Sequence, residues 1–273
     1  MPMLSSALLH ARLSAAYGNG ADVLQDVEFE LNAGEVLGLV GESGSGKSTI
    51  AMAVMRLLEC RGGSVRGTLR FQGRDLMQFS ERQMRSLRGR EIGLVLQSPL
   101  SSLNPAMTVG DQILEAWKAH PREGFPQWGS LLELLDAVNL PPETEFLRRY
   151  PGQISVGQAQ RVLIAMAIVH RPALLIADEP TSALDTVTQA EIVKLFASLN
   201  RQLGMSILYI SHDLLSVASL CDRIAILRHG RMVESGAAEQ IFRNPRDPYT
   251  KALLAAIPSM PFADNLSVAT GPR

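Results

Sequence analysis

Nine consecutive residues constrain this chain more than any others. Gly41, Glu42, Ser43, Gly44, Ser45, Gly46, Lys47, Ser48 and Thr49 match the pattern G-x-x-x-x-G-K-[ST]. The run follows a continuous apolar stretch, Val36 to Val40, and precedes a helical pattern from Lys47 to Leu58. An unbroken apolar run suits a strand buried on both faces, as in a parallel sheet. The order strand, glycine-rich turn, helix is what phosphate binding demands. Glycines let backbone N–H groups wrap the phosphate, and the helix N-terminus adds partial positive charge. Lys47 would reach the β- and γ-phosphates, and the Ser48 hydroxyl would ligate Mg²⁺. A nucleoside triphosphate site is therefore expected.

Three further apolar segments end in polar groups. Leu174 to Ala177 leads into Asp178 and Glu179, Ser206 to Ile210 into Ser211 and His212, and Ile92 to Leu96 into Gln97. In a parallel sheet the carboxyl ends of the strands share one crevice. Asp178 is expected to hold Mg²⁺ through water. Glu179, one residue on, is expected to point elsewhere and to polarise an attacking water. Gln97 is placed to contact the metal or that water, and His212 to reach the γ-phosphate.

The remaining chain sorts by texture. Ala7 to Ala16 and Val23 to Leu31 read as strands, the second with Val27, Phe29 and Leu31 on one face. From about residue 100 to 171 helical periodicity takes over, punctuated by prolines at 121, 126, 141, 142 and 151. Within it, 129–140 and 158–170 read as helices. Strand and helix then alternate again, and Arg223 to Val233 reads as a hairpin turning at His229-Gly230. Residues from about Phe262 onward read as a frayed tail. The expected fold is α/β: a P-loop NTPase core with an N-terminal antiparallel β subdomain and an inserted helical subdomain.

Composition narrows the function. The chain has 273 residues, 46% of them hydrophobic, enough to bury a core. Its 26 basic and 27 acidic residues leave a net charge of −1, so bulk charge does not point to nucleic acid. The longest clean apolar run, Val162 to Val169, is eight residues, against ~20 for a spanning helix. Membrane association is thus expected to come through a partner. Cys60 and Cys221 have no metal-ligand spacing, which suits a reducing compartment.

Taken in order, these pieces resemble the ATP-binding subunit of ABC transporters, over about residues 8–257. The deciding element is Ile154-Ser155-Val156-Gly157-Gln158, ahead of a helix expected to start near Ala159; it is similar to the family signature Leu-Ser-Gly-Gly-Gln. The resemblance implies a head-to-tail pair of ATPase subunits, in which Ser155, Gly157 and Gln158 cover the ATP held by the other subunit. It implies that Tyr17 stacks on adenine and that Ser182 to Asp185 lies at the dimer interface. Three stretches, GESGSGKST from Gly41, QSPLSSLNPAMTVGDQI from Gln97 and NPRDPYTKALLAAIP from Asn244, look most like the dipeptide, oligopeptide and nickel importer subgroup. The implied machine binds MgATP and works with two transmembrane permease subunits. Those permeases are implied to hold this chain at the cytoplasmic face of the inner membrane, and a solute-binding protein takes part indirectly. On this reading residues 1–257 form the ATPase domain, with an importer-type extension over about 234–257, and 258–273 a tail.

Two departures stand out. Val156 replaces the first signature glycine, and a β-branched residue is expected to resist glycine-only dihedrals and to bring bulk near the γ-phosphate. With only two cysteines, the iron–sulfur cluster of some peptide-importer ATPases is not supported. The competing reading is a soluble ABC-type ATPase of DNA repair or translation. Residues 50–154 leave no room for the long coiled coil of the former, and the single P-loop does not fit the double cassette of the latter.

Overall fold

Alternation of apolar side chains along five short strands builds the centre of the molecule. The computed structural model describes residues 7–18, 20–120 and 130–257. In chain order the elements are β1 (Ala7–Tyr17), β2 (Asp22–Asn32), β3 (Val36–Val40), α1 (Lys47–Val54), β4 (Gly63–Phe71), β5 (Arg74–Asp75), α2 (Glu81–Leu87) and β6 (Ile92–Val95). Next come α3 (Pro99–Ser102), α4 (Val109–Lys118), α5 (Leu131–Ala137), α6 (Thr144–Leu147) and α7 (Val156–Ile168). The chain continues through β7 (Leu174–Asp178), α8 (Thr186–Leu203), β8 (Ser206–Ser211), α9 (Leu214–Leu220) and β9 (Arg223–Arg228). It closes with β10 (Arg231–Ala237), α10 (Ala238–Arg243) and α11 (Pro248–Ala255).

One sheet has the order β10-β9-β3-β8-β7-β6; the other runs β2-β1-β4-β5. In the larger sheet β9, β3, β8, β7 and β6 are parallel, and only β10 runs against its neighbour. The smaller sheet is antiparallel throughout. Because side chains alternate along a strand, the larger sheet divides its apolar residues between two cores. Leu37, Leu39, Ile176, Leu208 and Ile210 face one core, shared with α1, α2 and the antiparallel sheet. Val36, Val40, Ala177, Ile207 and Tyr209 face the other, shared with α4 to α11.

Several sequence expectations land close to the observed elements, including the hairpin turning at His229-Gly230. Two helices differ. The helix after the glycine-rich loop ends at Val54 rather than Leu58. Arg56 adopts φ 49°, which stops a helix of L-residues. The turn carries Leu58, fully buried, into the core below the antiparallel sheet. The signature helix starts at Val156, three residues before Ala159, because a capping box there begins it. The tail expected over 258–273 lies outside the described residues, as do the prolines at 121 and 126.

Candidate functional site

The glycine-rich loop joins the C-terminal end of β3, in the middle of the larger sheet, to the N-terminus of α1. Gly41 opens it where only glycine fits, since a Cβ would run into the carbonyl oxygen of Leu227 on β9. Gly46 is the N-cap of α1 and has no side chain to bond the first-turn N–H groups. Helices α4, α7, α8, α9 and α11, in contrast, have side-chain caps. An uncapped N-terminus turned toward a loop suits an anion. The Lys47 ammonium is buried here and donates to the carbonyl oxygens of Gly41 at 2.8 Å and Glu42 at 2.9 Å. Burial lowers its pKa, opposed by the charges of Glu179 and Asp178.

Parallel pairing of β6, β7 and β8 brings their carboxyl ends to the same edge. The Ser48 hydroxyl donates to Asp178 Oδ1 at 3.0 Å. Burial raises the Asp178 pKa, with the Ser48 hydrogen bond acting the other way. Glu179 does not point elsewhere, as expected from strand alternation. Its backbone leaves the strand at φ 47°, a conformation that costs a non-glycine residue about 1–3 kcal/mol. Its N–H still donates to the Ile210 carbonyl at 2.9 Å. The turn carries its carboxylate inward, where it accepts from Gln97 Nε2 at 3.1 Å. The same carboxylate lies 3.3 Å from His212 Nδ1 and 3.7 Å from Lys47 Nζ. Asp213 caps α9 by accepting from the Leu215 and Ser216 N–H groups, leaving exposed His212 at the bend. The hydroxyl of Tyr17, an exposed residue, lies 3.5 Å from Thr49 Oγ1.

The residues fit a divalent cation of the magnesium type. Ser48 and Asp178 present hard oxygen donors within hydrogen-bond reach of each other, and such an ion takes one or two protein oxygens plus phosphate and water. Among the described residues no cluster of three or more His, Cys, Asp or Glu offers an all-protein metal cage.

Ser155, Gly157 and Gln158 stand apart from this cluster, at the N-terminus of α7. Ser155 and Gln158 bond each other's backbone N–H groups, at 3.0 and 3.1 Å. Gly157 is held close to α8, for a Cβ there would lie 2.7 Å from Thr188 Cγ2. Val156 overturns one expectation. It occupies the first helical position with no left-handed dihedral, so no glycine conformation is being forced. Its side chain is 37% exposed, directed into solvent within the chain.

Sequence reasoning missed two contacts with the loop. Gly230 N–H, in the β9–β10 turn, donates to the Ser45 carbonyl at 2.9 Å. Tyr249, on α11, accepts at its hydroxyl from the Glu42 N–H at 3.2 Å. Neither residue carries a local signal, because each meets the loop only through the fold.

Comparison with known proteins identifies the family. The profile of the family described as "ABC transporter" matches residues 24–182, more than half of the chain. That described as "Oligopeptide/dipeptide transporter, C-terminal region" matches residues 233–271. The glutathione import ATP-binding protein GsiA of Salmonella choleraesuis is 44% identical over 250 residues, covering 89% of this chain and 40% of that protein. The oligopeptide transport ATP-binding protein OppD of Bacillus subtilis is 43% identical over 246 residues, covering 89% of this chain and 69% of that one. The chain thus spans about two fifths of the length of the GsiA relatives. Among solved structures, cbiO1 from Clostridium perfringens, part of the ABC transporter complex cbiONQ, superposes with a TM-score of 0.75 at 26% identity, over 88% of this chain and 92% of that one. The ATP-binding cassette MJ0796, in a dimer bound to ADP and Pi, gives 0.70 at 25% identity, over 84% and 98%. By matched sequence, by the architecture of its two sheets and by the loop at its centre, the chain belongs to the ABC transporter ATP-binding family.

Proposed function

We propose that the chain is the ATP-hydrolysing subunit of a membrane importer for dipeptides or oligopeptides. One observation carries the catalytic part: Lys47, Asp178, Glu179, Gln97 and His212 converge from four parallel strand ends on the glycine-rich loop. The residues from Gly41 to Thr49 hold the phosphates, and Tyr17 stacks on the adenine. Glu179 accepts a hydrogen bond from the attacking water and orients it. The water oxygen then bonds to the γ-phosphorus as the bond to the β–γ bridging oxygen breaks, leaving ADP and phosphate. Lys47 and His212 offset charge on the transferring group. A Mg²⁺ bound by Ser48 and Asp178, with Gln97 beside it, would neutralise phosphate charge.

Ser155, Gly157 and Gln158 serve the ATP of a second ATPase subunit. The likeness of Ile154 to Gln158 to the family signature supports that reading. Cargo is a peptide by analogy with relatives named for glutathione import and oligopeptide transport. Among the described residues no helix is long and apolar enough to cross a membrane. By analogy with the importer relatives, two permease subunits hold the chain at the cytoplasmic face of the inner membrane, and a solute-binding protein delivers cargo to them. Nucleic acid plays no part.

The test is Glu179→Gln in the assembled transporter. ATP binding should persist, turnover should fall at least about 100-fold, and a dimer with trapped ATP should accumulate. Hydrolysis within a few-fold of wild type would remove Glu179 from this role. Deleting the gene and measuring uptake of peptide and nickel panels tests the cargo separately.

A further inference from the structure

The contact between α11 and the glycine-rich loop reaches beyond the ATPase core. Three groups C-terminal to β8 touch the loop. Leu227 presses its carbonyl against Gly41, Gly230 donates to Ser45, and the Tyr249 hydroxyl accepts from Glu42. The last is unlike the others because it comes from a side chain. Tyr249 is 8% exposed. Its ring is pinned from one side by the Arg228 guanidinium, 4.7 Å from the ring centroid. Its backbone is pinned from the other, since Asp247 caps α11 by accepting the Tyr249 N–H at 2.8 Å. The Asp247 and Arg246 N–H groups in turn donate to Glu234 on β10, at 3.0 and 2.9 Å. The hydroxyl is thus aimed by a chain of contacts that starts in the hairpin and ends on the loop. Burial keeps the phenol's pKa raised, so the hydroxyl is neutral and can accept an amide proton.

Its target matters. Glu42 receives the Tyr249 bond at its N–H, while its carbonyl accepts from Lys47 Nζ at 2.9 Å. One residue therefore links α11 to the lysine expected to meet the β- and γ-phosphates. We propose that Tyr249 is a positioning residue for the phosphate-binding loop, holding its first turn in the shape that binds ATP. The C-terminal segment thereby becomes part of the nucleotide site, although it touches no nucleotide. Any displacement of α11 would loosen the loop and weaken ATP binding.

The experiment uses Tyr249→Phe in the full chain. It keeps the ring, the Arg228 contact and the packing, and deletes only the hydroxyl. Three quantities are read: the ATP Kd by competition with a fluorescent ATP analogue, the melting temperature without nucleotide, and amide hydrogen exchange across residues 41–46. The Kd should rise roughly 2- to 10-fold, the range that loss of one hydrogen bond brings. Exchange should quicken in the loop and stay unchanged in β7 and β8, and the melting temperature should fall by no more than about 4 °C, one hydrogen bond's worth. Arg228→Met, which frees the ring but keeps the hydroxyl, should shift Kd and loop exchange in the same direction by less. A Kd within about 1.5-fold of wild type, well under one hydrogen bond's worth, overturns the proposal. So does a lowered melting temperature at unchanged Kd, or exchange that quickens throughout the sheet. Wild-type affinity for ATP is measured in the same series. A chain that binds no ATP would therefore fail the ATPase reading itself and not this inference.

Discussion

Asp178 shows what burial does to a carboxyl group in this fold. Its carboxyl is largely buried and its pKa is raised, first by burial, so the folded chain disfavours its charged form. The native state then binds a proton more readily than the unfolded one. The destabilisation is complete above the folded pKa and disappears as pH falls through it. Asp178→Asn keeps the shape and a group able to accept from Ser48. At neutral pH it should raise the melting temperature. The gain should fade as the pH is lowered below the wild-type carboxyl's pKa, and ATP turnover should be lost. Thermal scans across a pH series check this; an asparagine variant less stable at neutral pH would show that attraction to Lys47 outweighs burial. Gly41→Ala should act at the same scale by a different cause. The new methyl meets the Leu227 carbonyl, on a strand held in the sheet by pairing with β10. ATP affinity should drop at least about tenfold, with a stability cost of roughly 1–3 kcal/mol.

Helix ends decide more than helix interiors here. The loop-facing helix α1 lacks a side-chain cap, while α7 and α8 begin with full caps from Ser155 with Gln158 and from Asp185. Ser155→Ala should cost about 1 kcal/mol in thermal or denaturant unfolding, the usual worth of an N-cap. Val156→Gly, at an exposed first helical position with ordinary dihedrals, should change stability by less than about 1 kcal/mol. On the proposed pairing of two ATPase subunits, a larger effect on ATP turnover would point to the other subunit's nucleotide. The α7 and α8 N-termini are also tied together. A methyl on Gly157 would meet Thr188 Cγ2 at 2.7 Å, and the Thr188 hydroxyl donates to Asp185 at 2.7 Å. Gly157→Ala should therefore destabilise the chain, and Thr188→Ser, which removes that methyl but keeps the hydroxyl, should recover much of the loss. A double-mutant cycle showing no coupling between the two positions would contradict the packing account.

At the scale of the whole molecule, the larger sheet is a partition between two cores. Phe71 on β4 and Phe146 on α6 are buried on opposite sides of it. Each Phe→Ala change should cost about 3–5 kcal/mol, and the two should add within about 0.5 kcal/mol because they share no partner. Hydrogen exchange should separate them. Loss of Phe146 should first loosen α4 to α6, while loss of Phe71 should first loosen the antiparallel sheet.

Much of this was legible in one dimension. The glycine-rich loop, the apolar runs ending in Gln97, Asp178 and His212, and the alternation in β2 are local patterns. Each strand and turn writes its own demands into a few adjacent residues. The α7 start and the α1 end were misplaced because a capping box and a positive φ act within one turn, where periodicity has no resolution. What only the tertiary structure decided was direction and encounter. Strand alternation sent Glu179 away from the crevice, but a left-handed turn, supported by its N–H bond to Ile210, brings the carboxylate back to Gln97, Lys47 and His212. Tyr249 meets Glu42 across 207 positions of sequence. No local pattern encodes such a contact, because its geometry exists only once β9, β10 and α11 have packed around the loop.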